Sequence, residues 1–498
     1  MRSIDRWAID VQGVPGLDLM ERAGGATVRE LENLAPDGPV TVLCGKGNNG
    51  GDGLVIARLL RDAGRPVKVL IAGSAEEISP EARANLDRLP GEPPESLQGA
   101  EITGGGVIVD ALLGTGFDGE PRGVVADAID AINAAQLPVL SVDAPSGVDA
   151  SSGAARGRAV RATMTVSFHA GKPGLWIAPG KGLAGEVRVV DIGIPRGAPG
   201  GAWAGLIEPS ILEQLPRRGA QSTKFSSGQA LIVGGSTGLT GAPAMAGRAA
   251  ARAGAGYVIL LVPSAAAAAV AAAGSAELMV RGLADLDGAH TPAGVQEVLA
   301  AGERAGAVAL GPGLGRSDGA AQFARALAAQ APVPLVLDAD GLNAHAGGLR
   351  ELAGRGAPTV MTPHAGELGR LLGIDSAEVE RERLLHAREA AESAQAVLVL
   401  KGDDTLVVEP GGRVAISRGG SPALATAGTG DVLSGVIAAL LAQGVDAFTA
   451  ACAGVFLHAR AGRLAAARVG AAEGVIATDV IDSLPAARGA SQAPRERP

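Results

Sequence analysis

Cysteine is nearly missing from this chain: Cys44 and Cys452 are the only two in 498 residues, too few for a disulfide framework or a thiolate zinc centre. Aromatics are almost as scarce, at 2%, and acidic residues outnumber basic ones to a formal net charge of −9. Nucleic-acid binding calls for the reverse, stacking rings on a cationic face, so the composition argues against it. No apolar run reaches the length of a membrane span without a glycine or a charge interrupting it, and the Ala-rich stretch 264–274 is too short. The opening Met1-Arg2-Ser3-Ile4-Asp5-Arg6-Trp7 places charges where the apolar part of a secretory signal should begin. The expectation is a cytoplasmic protein with no nucleic-acid or membrane partner, whose two thiols are small core residues. Lysine is confined to Lys46, Lys68, Lys172, Lys181, Lys224 and Lys401, and four of the six lie in or beside glycine-rich segments.

What the chain has in excess is glycine, 75 residues, which makes any single G-x-G triplet weak evidence and leaves context to decide. Its length exceeds the size at which single cores stop growing, so two domains are expected. The first half alternates apolar strands with helical stretches: 39–43, a helix over 54–63, then strands at 66–71, 107–109, 139–142, 163–168 and 186–191. A polar, aperiodic stretch, Leu215-Pro216-Arg217-Arg218-Gly219-Ala220-Gln221-Ser222-Thr223-Lys224, breaks the pattern. A second alternating series follows, with strands near 230–233, 258–262, 307–310, 335–338, 359–362 and 396–400. The fold class is α/β in two domains, 1–213 and 224–488, joined by a linker at 214–223 and followed by a tail at 489–498 expected to be disordered. In parallel sheets the loops after the strands gather on one edge, which is where ligands bind.

In the first half, Gly45-Lys46-Gly47-Asn48-Asn49-Gly50-Gly51-Asp52-Gly53 follows a strand and opens a helix, a loop suited to cradling phosphate. It has neither the Lys-Ser/Thr ending of a P-loop nor the spacing of a dinucleotide fingerprint. Only six asparagines occur in the chain, so two adjacent ones here favour ligand binding over plain turn chemistry. Asp110 and Asp143 end two further strands. Alone, either could simply cap a loop; together with Asn49 and Ser146 they bring hard oxygens to one crevice. Asn49, Asp110 and Ser146 carry one formal charge among them, which favours a monovalent or loosely held cation over a calcium cage. With Leu19-Met20-Glu21-Arg22-Ala23-Gly24, Val142-Asp143-Ala144-Pro145-Ser146-Gly147 and Asp191-Ile192-Gly193-Ile194-Pro195, this loop resembles the NAD(P)H-hydrate epimerase family over residues 1–213. The resemblance implies a Rossmann-like domain that interconverts the R and S epimers of hydrated NADH or NADPH. It implies potassium at Asn49, Asp110 and Ser146, with substrate held by Asn48, Asn49, Gly50, Gly51, Asp52, by Gly114, Thr115, Gly116, Phe117, Asp118, Gly119, Glu120, and by Asp143 as the acid/base candidate. Ala144 departs from the larger aliphatic usual there. Lys172 is left between a phosphate contact and a plain surface position.

In the second half the unusual residues again sit after strands: Gly234-Gly235-Ser236, Gly311-Pro312-Gly313-Leu314-Gly315, Asp338-Ala339-Asp340-Gly341-Leu342-Asn343, Thr362-Pro363-His364-Ala365-Gly366-Glu367, Lys401-Gly402-Asp403-Asp404-Thr405 and Ala427-Gly428-Thr429-Gly430-Asp431. The last is the most telling. It places an acid just behind two glycines at the start of a buried helix, an anion hole with a base beside it. A bland capping turn is the competing reading, as is a satisfied histidine for His364 and a simple helix-start acid for Glu367. The ordered set resembles the ribokinase-like ADP- or ATP-dependent NAD(P)H-hydrate dehydratases over about residues 221–486. That resemblance implies a ribokinase-like α/β sandwich that phosphorylates the C6 hydroxyl of the S hydrate and then eliminates phosphate. Lys401, Gly402, Asp403, Asp404, Thr405 and Gly430 would bind the nucleotide, with ADP favoured over ATP and Mg2+ bridging oxygens. Ala242, Gly313, His364 and Asp431 would face the hydrate, with Asp431 as base.

The two resemblances support one another, since one domain interconverts epimers and the other repairs only S. The alternatives are an ordinary small-alcohol kinase in the second half and a non-catalytic binding module in the first. Association into a homo-oligomer is a further expectation.

Overall fold

The structure is a computed structural model, in which residues 2–489 except 75, 101, 103 and 104 are described. Of the expected tail at 489–498, Gly489 closes the last helix, Ala477–Gly489, and 490–498 lie outside the described residues. Two compact units divide at Ala202/Trp203, with residues 381–383 grouped with the first. This division comes ahead of the expected end of the first domain at 213, because the segment after Trp203 pairs into the second sheet.

The first unit carries seven strands, β1 (Val40–Cys44), β2 (Val67–Ile71), β3 (Glu95–Ser96), β4 (Val107–Ala111), β5 (Val139–Val142), β6 (Met164–Phe168) and β7 (Glu186–Val190). They form one parallel sheet in the order β3-β2-β1-β4-β5-β6-β7. β1, β4, β5 and β6 are buried along their whole length, as continuous apolar strands covered on both faces should be. Their side chains feed two cores, one containing Val40, Val42, Val109 and Val166, the other Leu43, Ile108, Ile129 and Ile132. The order reverses between β1 and β4, and the crevice at that switch point opens above their C-terminal ends.

In the second unit a ten-stranded sheet runs β11-β10-β9-β14-β15-β16-β17-β18-β19-β8. Its members are β8 (Ala204–Leu206), β9 (Gln229–Val233), β10 (Tyr257–Pro263), β11 (Met279–Leu283), β14 (Ala307–Leu310), β15 (Leu335–Leu337), β16 (Thr359–Met361), β17 (Val397–Leu400), β18 (Leu406–Val408) and β19 (Val414–Ile416); a separate small hairpin comprises β12 (Asp285–Leu286) and β13 (Ala289–His290). Pairing is parallel from β11 to β17, then antiparallel through β18 and β19. The switch point here lies between β9 and β14. Behind it the helix Thr429–Ala442 is buried on every side from Val432 to Ala442, which a sequence apolar there but for Ser434 requires. It packs against the helix Gly241–Arg252 so closely that a Cβ at Gly435 would fall 2.1 Å from the Ala246 carbonyl oxygen.

No helix among the described residues is long and apolar enough to cross a membrane. Both cysteines are buried and unbridged, as core residues.

Candidate active sites

The helix Asn48–Asp62 begins directly after β1, and the turn that feeds it is tight. A Cβ at Gly45 would lie 1.8 Å from the Leu112 carbonyl oxygen, and one at Gly50 1.9 Å from that of Gly45. Glycine is required there by close backbone approach. The loop roofs a cavity of about 670 Å³ lined by Lys46, Asn48, Asn49, Asp52, Gly114–Phe117, Asp143, Phe168 and Lys172 among others. Gly50 and Gly51 sit behind this wall; Gly51 faces Met20. Asp118, Gly119 and Glu120 are not part of the lining, and Asp118 pairs with Arg156 at 3.0 Å.

Asn49, Asp110 and Ser146 are brought together. Asn49 Nδ2 donates to the Leu113 carbonyl at 3.0 Å, and the Leu113 N–H donates to Ser146 Oγ at 2.9 Å. Asp110 is fully buried and accepts from Ser141 Oγ at 2.8 Å, Ser146 Oγ at 2.5 Å, the Ser146 N–H at 2.9 Å and the Leu112 N–H at 3.3 Å. Burial raises its pKa, and these hydrogen bonds oppose the rise.

Asp143 stands at the end of β5 in a left-handed conformation, φ +66°, a strain that a non-glycine residue keeps only where its surroundings fix it. Its Oδ1 contacts Lys172 Nζ directly and accepts from the Phe168 N–H at 3.3 Å. Lys172 is 4% exposed and donates also to the Phe168 carbonyl at 2.8 Å. It therefore belongs to the cavity wall and not to the surface. Three more acids line the same cavity, Asp5, Asp52 and Glu81; burial, then the charge of Asp143, raises Asp5 and Asp52, the latter well above the usual carboxylate range. Asp5 carried no sequence signal, because it lies on the N-terminal helix Arg2–Asp10, outside every motif.

In the second unit a buried carboxylate organises the loops. Asp338, at the end of β15, accepts from Thr362 Oγ1 at 2.8 Å and Ser434 Oγ at 2.6 Å, and from Lys401 Nζ at 3.1 Å. Lys401 also lies 3.6 Å from Glu367 Oε2, and 3.6 Å from where a Cβ on Gly430 would stand. It thus joins β15, β16, β17 and the start of the helix Thr429–Ala442. Asp431, in that helix's first turn, has its pKa raised to about 7, first by burial and then by Asp338 and Glu367, with Lys401 pulling the other way. Gly428 caps the helix at φ +88°.

His364 caps the helix Ala365–Leu372 in a reciprocal box: Nδ1 accepts from the Gly366 and Glu367 N–H groups, and Glu367 Oε2 accepts from the His364 N–H at 2.9 Å. The side chain is about half exposed, with Nε2 3.6 Å from Glu367 Oε1. Gly313, at φ +63°, lies against Ala242; a Cβ there would stand 3.1 Å from the Ala242 Cβ. Gly402 to Thr405 form the turn into β18, where Thr405 Oγ1 donates to the Gly402 carbonyl at 2.6 Å and Asp403 Oδ1 accepts from the Gly420 N–H at 3.1 Å. The sequence does not reveal Asp338, Thr362 and Ser434 as a set; Asp338 stands out there only as a residue of the 338–343 loop.

Two switch-point crevices, one Rossmann-like and one closing on an acid at a glycine-capped helix, define an α/β enzyme of two domains. At the level of fold, the second unit is similar to a ribokinase-like superfamily protein from Enterococcus faecalis V583, with TM-score 0.50 and 24% identity, covering 58% of this chain and 97% of that one. A family described as NAD(P)H-hydrate dehydratase matches residues 230–486, and one described as the YjeF-related protein N-terminus matches 16–174. The bifunctional NAD(P)H-hydrate repair enzyme Nnr of Salinibacter ruber is 40% identical over 444 residues, 84% of this chain and 82% of its own. Its counterpart from Moorella thermoacetica is 39% identical over 448 residues, with the same shares. The chain belongs to the family of bifunctional NAD(P)H-hydrate repair enzymes.

Proposed function

We propose that the first unit interconverts R- and S-NAD(P)HX and that the second returns the S epimer to NAD(P)H through phosphorylation and loss of phosphate. The observation that carries the second half is Asp431, an acid with a pKa near 7 in the first turn of a buried helix. At neutral pH such a group is poised to take the proton of the C6 hydroxyl. The turn 428–430 supplies backbone N–H groups for the transferring phosphoryl group, worth about 3 kcal/mol each in comparable sites. Lys401 lies beside this turn and steadies the charge that develops there. Ala242, Gly313 and His364 line the hydrate side, and Gly402 to Thr405 hold the adenine nucleotide, ADP in preference to ATP. Among the described residues no three His, Cys, Asp or Glu side chains are grouped to hold a metal alone. That suits Mg2+, which binds largely through phosphate oxygens and neutralises their charge.

In the first unit Asn49, Asp110 and Ser146 offer oxygen ligands with a single formal charge, a set that fits potassium. Bound there, the ion would fix the loop that shapes the substrate wall. Asp143 faces the hydrate, beside the roof of N–H groups at the start of the helix Asn48–Asp62.

The test is recovery of reduced nicotinamide from a mixed-epimer NADHX preparation with Mg2+ and K+, adding ADP and ATP separately. Full recovery with one nucleotide is expected. Recovery of only the S fraction would remove the epimerase assignment, and none with either nucleotide would remove the dehydratase assignment.

A further inference from the structure

The Lys172–Asp143 contact is a buried ion pair inside a ligand cavity, and such pairs are expensive unless something uses them. Lys172 is anchored at Nζ by Asp143 Oδ1 and by the Phe168 carbonyl, with 5% of its side chain exposed against 12% for Asp143. Both line the cavity that Asn48, Asn49 and Gly114–Phe117 enclose. Among the described residues no other lysine or arginine lines it except Lys46, which is half-exposed and paired with Glu77 at 3.0 Å. Four acids line the wall, Asp5, Asp52, Glu81 and Asp143, and it is Asp143 that Lys172 Nζ contacts directly. Asp143 is therefore the carboxylate matched to the lysine.

The reaction asks for such a pair. In the hydrate, C6 bears both the hydroxyl and the ring nitrogen N1, so two atoms on one carbon must exchange protons in opposite senses. We propose that Lys172 is a catalytic residue, the proton donor that works with Asp143 to open and reclose the hydrate ring; this rests on the epimerase reading above. Asp143 takes the hydroxyl proton, the C6=O bond forms, and the C6–N1 bond breaks with its electron pair left on N1. Lys172 delivers its proton to that nitrogen, giving an aldehyde and a neutral ring-opened enamine. Rotation about C5–C6 presents the other carbonyl face. N1 then attacks it, returns its proton to the lysine amine, and Asp143 protonates the new alkoxide, so both groups end as they began with no net change in atoms.

The experiment uses the full-length chain with R-NADHX in ¹⁸O-labelled water, comparing wild type, Lys172→Arg and Lys172→Met, with S-epimer repair by the second unit and the thermal midpoint read in parallel. Arginine keeps the cation but does not give up a proton at neutral pH. The expected result is a fall of about 100-fold or more in kcat for R-epimer consumption in both variants, with KM little changed in the arginine variant. Wild-type product should retain its C6 oxygen. A Lys172→Arg variant with near wild-type epimerisation would overturn the proposal, since a purely structural cation would have been replaced. Exchange of the oxygen at every turnover would overturn it too, because that marks loss and re-addition of water. Failure of the wild type itself to consume the R epimer would instead sink the epimerase reading on which it rests.

Discussion

Asp431 bears its charge against burial and against two neighbouring carboxylates, with one lysine in its favour. The sign of the consequence follows. Because its pKa is raised from 3.8 to about 7, the folded chain binds a proton that the unfolded chain has lost, so stability falls as pH climbs between the two values. With Asp431 as the proposed base, the reactive form grows over the upper part of that window. Initial rates of S-epimer repair should therefore rise about tenfold per pH unit up to about 7 and then level; a flat profile would detach Asp431 from the rate. Asp431→Asn should abolish dehydration while leaving nucleotide affinity nearly unchanged by calorimetry. The same variant should gain more in thermal midpoint at about pH 8, where the native carboxylate is ionised, than at about pH 5, where it is neutral. Equal gains at both would mean that the charge is not what costs stability.

Helices placed at strand ends do most of the work of the site, and the critical joint is Gly428. Its φ of +88° is one that alanine reaches only at a cost of about 1–2 kcal/mol, and a Cβ would also stand 2.6 Å from the Met245 side chain. Gly428→Ala should lower the thermal midpoint and depress dehydration, with R-to-S interconversion kept; a variant as stable and active as wild type would show that the turn tolerates another conformation. Most of this scaffold was legible, because long apolar strands bounded by glycine-rich loops announce a parallel sheet whatever their neighbours. The polar residues at the ends of β1, β4 and β5 stood out because such positions have few structural uses, whereas Asp431 stood out by the glycines that open a buried helix. The edge of β18, β19 and β8 could not be read, since these are three residues each, too short for alternation to show and without the glycine-rich loops and helices that set off the parallel strands. Nor could the company of Asp338, whose partners Thr362, Lys401 and Ser434 are 24, 63 and 96 residues away. Lys172 stayed ambiguous because burial is a property of the folded chain: 29 residues separate it from Asp143.

For the whole molecule, the division of labour predicts that ions and epimers separate cleanly. Replacing potassium by a smaller monovalent cation should slow R-epimer consumption and leave S-epimer repair unchanged; equal slowing of both would move the ion away from Asn49, Asp110 and Ser146. The seam between the activities has its own consequence. β8 pairs in parallel with β19, its ladder is extended by bonds from the Val414 N–H to the Trp203 carbonyl at 2.8 Å and from the Ile207 N–H to the Ile416 carbonyl at 2.9 Å, and Ile207, Leu212 and Leu215 enter the second core. Anyone dividing the gene at the compositional break, to begin a free-standing dehydratase at residue 224, would unsheathe one side of β19 and leave its N–H and C=O groups to find another chain. Such a fragment should self-associate on size-exclusion chromatography, where one beginning at Trp203 should not. The short strand thus acts as a selvedge, a finished edge woven from residues that composition assigns to the first domain.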